Sequence, residues 1–151
     1  MKILSIAVPC YNSEAYMEKC IDSLLVGGEE VEILIVDDGS KDGTTEIADR
    51  YQEKYPTIVK AIHQENKGHG GAVNTGVENA TGLYFKVVDS DDWVNPEAYQ
   101  KILNVLAEVV RGPKTLDLLI SNYVYEKGGR QEKTCDALCE IAAGRPLFRM
   151  G

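Results

Sequence analysis

Apolar and polar positions alternate along this chain in blocks whose period switches between strand and helix almost from the first residue. Ile3–Pro9 (ILSIAVP) is a short apolar run with β-branched residues, which predicts a strand buried on both faces. Met17, Cys20, Ile21, Leu24 and Leu25 then fall at i, i+3, i+4, i+7 and i+8. That is one face of a helix, with Ser13 placed to cap it and Gly27-Gly28 to end it. Val31–Val36 (VEILIV) predicts the second strand. Beyond Asp37-Asp38-Gly39-Ser40 a helix runs to about Tyr55, with Ile47, Ala48, Tyr51 and Tyr55 inward and Pro56 as its stop.

Ile58–His63 is a third strand, weakened by Lys60, and a glycine-rich segment leads from it into a short helix over Ala72–Ala80, closed by Gly82. Leu83–Val88 predicts a fourth strand. Asn95-Pro96 starts the next helix, with Asn as cap and Pro at the first helical position. Tyr99, Ile102, Leu103, Leu106, Val109 and Val110 form its inward stripe, and Gly112-Pro113 ends it. Leu116–Tyr125 (LDLLISNYVY) predicts a fifth strand.

Strands separated by helices of these lengths pair in parallel through right-handed crossovers. The expected fold is therefore α/β, a mostly parallel sheet with helices on both faces. Its ligand site belongs beyond the carboxyl ends of the strands, near a switch point in their order. The pattern holds over residues 1–127. From Gly128 to Gly151 no period is sustained, and this stretch is expected to be an irregular tail, truncated or out of frame from about Thr134.

Composition narrows the partners. At 151 residues, 44% hydrophobic and 26% charged, the chain is one ordinary globular domain's worth. Its formal charge of −8 argues against a surface that coats nucleic acid, yet leaves room for a small anionic ligand held by backbone amides or a metal ion. Cys10, Cys20, Cys135 and Cys139 match no disulfide framework, and no secretory signal precedes them, so reduced thiols in the cytoplasm are expected. Cys135 and Cys139 could stand one helical turn apart, but no second pair completes a metal site. No apolar stretch reaches transmembrane length.

Polar chemistry collects just after the strands. Pro9-Cys10-Tyr11-Asn12 follows the first; Tyr11 offers a flat face for a base, and Asn12 can hydrogen-bond or simply turn the chain. Asp37-Asp38-Gly39-Ser40 follows the second, where one carboxylate can cap a turn while the other accepts donors from a base or ribose. Asn66–Gly76 (NKGHGGAVNTG) is rich enough in glycine to let a phosphate approach the backbone at a helix start. It fits neither the dinucleotide fingerprint nor the Walker pattern, and His69 reads equally as a solvent-facing loop residue or a ligand contact. Asp89-Ser90-Asp91-Asp92 follows the fourth strand; carboxylates at i and i+2 of an extended segment share a side and suit Mg²⁺ or Mn²⁺. A phosphorylatable receiver domain is also α/β with clustered carboxylates, but its acidic pair follows the first strand, where this chain has Pro9-Cys10-Tyr11.

In order and spacing, Val8-Pro9-Cys10-Tyr11-Asn12, Asp37-Asp38-Gly39-Ser40, Asn66–Gly76 and Asp89-Ser90-Asp91-Asp92 resemble the family-two inverting glycosyltransferases of the GT-A fold, over roughly residues 3–125. The resemblance implies a Rossmann-like α/β/α sandwich that transfers a sugar from a nucleoside-diphosphate sugar, with UDP-sugar as the default, to a hydroxyl on a carbohydrate or lipid-linked acceptor. It places Pro9, Tyr11, Asn12, Asp38, Gly68, Gly71, Asn74, Asp89 and Ser90 against the nucleotide sugar. Asp91, with Asp89, would hold Mn²⁺ or Mg²⁺. Where the family often has Ala-Arg-Asn, this chain has Ala72-Val73-Asn74, so one cationic contact is missing. The family's general base lies well downstream of the metal motif, and neither Glu132 nor Glu140 matches its context. The alternative expectation is accordingly a donor-binding module without turnover. Family members often build surface polysaccharides at the inner membrane face, and apolar surface left uncovered could promote oligomers.

Overall fold

A computed structural model describes residues 1–113, 115–121, 124–127 and 130–133. The chain divides into two compact units, Met1–Ala107 and Glu108–Gly151. The first holds β1 (Leu4–Cys10), α1 (Met17–Leu25), β2 (Val31–Asp37), α2 (Thr44–Lys54), β3 (Val59–His63), α3 (Gly68–Asn79) and β4 (Tyr84–Val87). Helix α4 (Pro96–Arg111) begins in it and runs past its end. Four strands form one parallel sheet in the order β3-β2-β1-β4, as expected of an α/β fold. Order reverses at β1, which places the switch point between β1 and β4.

Central strands carry the core. All seven residues of β1 are buried, and Ile33, Leu34, Ile35 and Val36 of β2 have no exposed surface. Each such side chain contributes about 1.5–3 kcal/mol on leaving water. The α1 stripe behaves as its spacing predicts, with Met17, Cys20, Ile21 and Leu24 buried. In α4, Tyr99, Leu103, Leu106 and Ala107 are buried, and the Tyr99 hydroxyl donates to the Leu24 carbonyl at 3.2 Å. Cys10 and Cys20 are buried free thiols; Cys135 and Cys139 lie outside the described residues.

Two features open the carboxyl rim. Pairing of β4 with β1 stops at Val87–Ala7, while β1 continues beside β2 to Cys10. A crevice follows, and Pro9, which lacks an N–H, sits where β4 no longer needs one. Helix α3 lies unusually close to the sheet because Gly76 faces Ala7: a Cβ on Gly76 would stand 2.5 Å from that of Ala7. This approach carries the first turn of α3 to the mouth of the crevice.

Four expectations are corrected. The glycine segment is not a loop ahead of a helix at Ala72; the helix starts at Gly68, so Gly68–Gly71 is its first turn. Ser13 does not cap α1, which begins after Tyr16, and its side chain turns inward instead. Asp89–Asp92 is not extended but closes a turn, with the Asp92 N–H donating to the Asp89 carbonyl at 2.9 Å. The predicted fifth strand over Leu116–Tyr125 is absent across residues 115–121, where Leu118 and Ile120 are exposed. In the second unit, β5 (Val124–Lys127) pairs antiparallel with β6 (Arg130–Lys133); the tail from about Thr134, expected to be truncated or out of frame, lies outside the described residues.

Candidate functional site

The crevice is an open cleft of about 330 Å³ within the first unit. Pro9, Cys10 and Tyr11 enter it from the end of β1, and Asp38 from the end of β2. Gly68, His69 and Ala72 come from the first turns of α3, and Asp89, Ser90 and Asp91 from the turn after β4. Seven of the expected site residues therefore meet in one place: Pro9, Tyr11, Asp38, Gly68, Asp89, Ser90 and Asp91. Asn12, Gly71 and Asn74 do not line it. Asn12 adopts a left-handed φ of 49°, tolerable for Asn, and ties two loops together. Its N–H donates to Ser40 Oγ at 3.0 Å and its Oδ1 accepts from the Lys41 N–H at 2.9 Å. Gly71 packs against the Lys67 side chain, and Asn74 is exposed on α3.

The adjacent aspartates have separate jobs. Asp37 faces away from the cleft and accepts from the Ser40 N–H at 3.0 Å, Thr45 Oγ1 at 2.6 Å and His63 Nδ1 at 3.1 Å. Burial works to raise its carboxyl pKa, but donors from Ser40, Thr45 and His63 outweigh burial and hold it below the ordinary range. Asp38, 3% exposed, takes two donors on one oxygen: Gln64 Nε2 at 2.6 Å and the Lys67 N–H at 2.8 Å, both to Oδ1. Between this pair and the next helix, Gly39 has φ +73°, and a Cβ there would lie 2.9 Å from the Asn66 nitrogen. Only glycine fits that turn.

Beneath the cleft is a knot of buried hydroxyls. Ser13 Oγ and Ser90 Oγ are 2.9 Å apart, and the Ser13 N–H donates to Thr44 Oγ1 at 2.7 Å. The Tyr11 N–H reaches Ser13 Oγ at 3.2 Å. Loops after β1, β2 and β4 are thereby joined to one another. Burial and the nearby Asp37 push the Cys10 thiol up to about 12, and burial with Cys10 does the same for Cys20, so neither serves as a nucleophile near neutral pH.

Because the turn after β4 folds back, three carboxylates converge. Oxygens of Asp89, Asp91 and Asp92 lie within 4.8 Å of one another, all three residues exposed. In an extended segment Asp92 would point away from Asp91; the Asp89–Asp92 turn brings it round. Burial, then repulsion from Asp91 and Asp89, raises its carboxyl pKa. His69 Nε2 stands 3.8 Å from Asp89 Oδ1. An all-oxygen set of this kind suits Mg²⁺ or Mn²⁺. A diphosphate in the same cleft would be repelled by Asp38, Asp89 and Asp91 unless a cation lay between them.

Sequence reasoning also missed Ser13 and Tyr16 as cleft residues. Ser13 and Ser90 follow strands that are neighbours in the sheet, so their meeting required the β1–β4 adjacency, which no local pattern shows.

A parallel α/β sheet with an acidic, ligand-sized cleft at its switch point is the ligand-binding arrangement of open α/β folds. The family described as Glycosyl transferase family 2 matches residues 5–112, and the chain belongs to that family. Among its relatives, EpsH of Bacillus subtilis (strain 168) is 40% identical over 124 residues, covering 82% of this chain and 34% of EpsH. The glycosyltransferase GlyA of Streptococcus pneumoniae serotype 4 is 39% identical over 114 residues, 72% of this chain and 16% of GlyA. The chain thus spans about a third or less of these curated relatives. Among solved structures, TarS 1–349 of S. aureus in complex with UDP-GlcNAc is 34% identical with a TM-score of 0.63, covering 72% of this chain and 32% of that one. The mannosyltransferase PcManGT from Pyrobaculum calidifontis, in complex with GDP-Man and Mn²⁺, is 25% identical with a TM-score of 0.61, covering 73% and 32%. Among the described residues no helix is long and apolar enough to cross a membrane.

Proposed function

We propose that this chain is the donor-binding part of a glycosyltransferase that moves a hexosyl group from a nucleoside-diphosphate sugar to a hydroxyl of a carbohydrate or lipid-linked acceptor, as in polysaccharide assembly. The observation that carries the reading is the convergence of four separate sequence groups on one cleft at the switch point of the sheet. Tyr11 offers its ring to the base, and Asp38 accepts an N–H or O–H from base or ribose. The amides and small side chains at the start of α3 let the diphosphate lie close to the helix, whose N-terminus favours negative charge. UDP is the favoured nucleotide. Asp91 and Asp89, joined by Asp92, are the residues that would hold Mn²⁺ or Mg²⁺. When bound, such a cation offsets the charge that grows on the departing diphosphate.

Paramagnetic broadening tests the placement. Mn²⁺ added with UDP is expected to broaden the amides of residues 88–92 and 66–72 and to spare those of Glu32 and Thr57 at the opposite rim. Broadening spread over other acidic surface positions, with residues 88–92 sharp, would remove the metal assignment. Release of nucleoside diphosphate from a sugar donor by this chain separates a working transferase from a donor-binding module without turnover.

A further inference from the structure

The Asp38 carboxylate is aimed by side chains that lie outside the cleft. Its Oδ1 is taken twice, by Gln64 Nε2 at 2.6 Å and by the Lys67 N–H at 2.8 Å. Gln64 is itself held: its Oε1 accepts from Thr75 Oγ1 at 2.5 Å, and its backbone N–H donates to the Asp37 carbonyl at 3.0 Å. Thr75 stands on α3, the helix pinned to β1 by the Gly76–Ala7 contact. A carboxylate only accepts hydrogen bonds, so Gln64 must turn its amide nitrogen toward Asp38 and its oxygen away. The Thr75 hydroxyl supplies the donor that this oxygen needs. The relay is therefore polar in one direction only, from Thr75 to Gln64 to Asp38.

We propose that Gln64, braced by Thr75, is a positioning residue for nucleotide recognition: it commits Asp38 Oδ1 to the protein and so leaves Oδ2 to accept a donor of the nucleoside. The proposal rests on the donor-binding reading above. In this arrangement the rigidity of α3 reaches the base-binding carboxylate through two hydrogen bonds, and nucleotide affinity depends on a residue that does not touch the nucleotide.

Titration calorimetry of UDP with Mn²⁺ on the full chain tests it through a mutant cycle. Gln64→Leu is expected to weaken UDP by about tenfold, the effect of losing one hydrogen bond to a charged group. Thr75→Val, nearly isosteric, is expected to weaken it several-fold, while Thr75→Ser, which keeps the hydroxyl, restores wild-type affinity. In an Asp38→Ala background, Gln64→Leu and Thr75→Val should change affinity by less than about twofold, because they act only through Asp38. Generic damage to the fold would instead lower affinity by the same factor in both backgrounds, and that result overturns the proposal. So does wild-type affinity in Thr75→Val and Gln64→Leu. If the wild-type chain binds neither UDP nor GDP, the donor-binding reading itself has failed and this proposal falls with it; binding by wild type with unchanged variants sinks the positioning role alone.

Discussion

Replacing Asp37 and Asp38 one at a time by asparagine should separate stability from binding at neighbouring positions. Asp37 uses both oxygens: Oδ1 for the Ser40 N–H, Oδ2 for Thr45 and His63. In Asp37→Asn an amide nitrogen must face one set of donors. Turned toward Ser40 it orphans a backbone N–H that cannot rotate; turned the other way it forces Thr45 and His63 to rearrange. Either arrangement costs about 2–3 kcal/mol in this buried setting. At roughly 2–4 °C per kcal/mol for a chain of this size, the midpoint should fall by about 4–12 °C. Asp38 places both its donors on Oδ1, so Asp38→Asn can keep that oxygen in place and turn its nitrogen into the cleft. Its cost should stay near 1 kcal/mol, the loss of charge assistance alone. UDP affinity should fall at least about tenfold, since a donor now faces a donor. Thermal unfolding by circular dichroism at pH 7 and calorimetric titration measure the two quantities. The Asp37 carboxyl is held below 3.8, so its stabilisation is present above that value and lost as pH falls through the lowered one. The gap between wild type and Asp37→Asn should close there. Equal melting losses for the two variants, or the larger loss at Asp38, would refute the division of labour.

Three further outcomes follow from the same geometry. Asp91→Asn, at an exposed position, should change stability by less than about 0.5 kcal/mol while abolishing the Mn²⁺-dependent part of UDP binding; unchanged titrations would count against the carboxylate cluster as the metal site. Gly76→Ala should destabilise, because overpacking against Ala7 costs about 1–3 kcal/mol and exceeds the roughly 1 kcal/mol gained in helix propensity; a raised melting temperature would show that α3 does not sit that close. His63 bonds Asp49 at 2.9 Å as well as Asp37, and although burial works to lower its pKa, those carboxylates raise it above 6.5. Its stabilisation is therefore full below pH 6.5 and lost as pH rises through the raised value. His63→Gln should flatten the stability curve in that window, and a curve of unchanged shape would contradict the ion-pair assignment.

Much of the fold was legible because β1 and β2 are mostly apolar, interrupted only by Ser5, Glu32 and Asp37, and because α1 and α4 carry clean 3.6-residue stripes. The start of α3 was not. Gly68–Gly71 has poor helix propensity, so its local signal is that of a loop although α3 begins at Gly68. Leu116–Tyr125 misled for a different reason: an apolar run satisfies a buried-strand pattern, yet Leu118 and Ile120 are exposed and the strand begins only at Val124. At the site, polar groups after the strands pointed to one rim, the rim on which the cleft opens. Side-chain direction was hidden: nothing local says that Asp37 turns to Thr45 and His63 while Asp38 turns to the cleft. Nor could the Ser13–Ser90 contact or the third carboxylate, Asp92, be read without the strand order and the turn that create them.

Calorimetric titration of UDP into the purified 151-residue chain, with and without Mn²⁺, tests the donor-site claim most directly. The geometry predicts saturable one-to-one binding in Mn²⁺ and at least about tenfold weaker binding without it, since the diphosphate would then face the Asp89–Asp91 carboxylates unshielded. A folded sample that binds neither UDP nor GDP under either condition would contradict it.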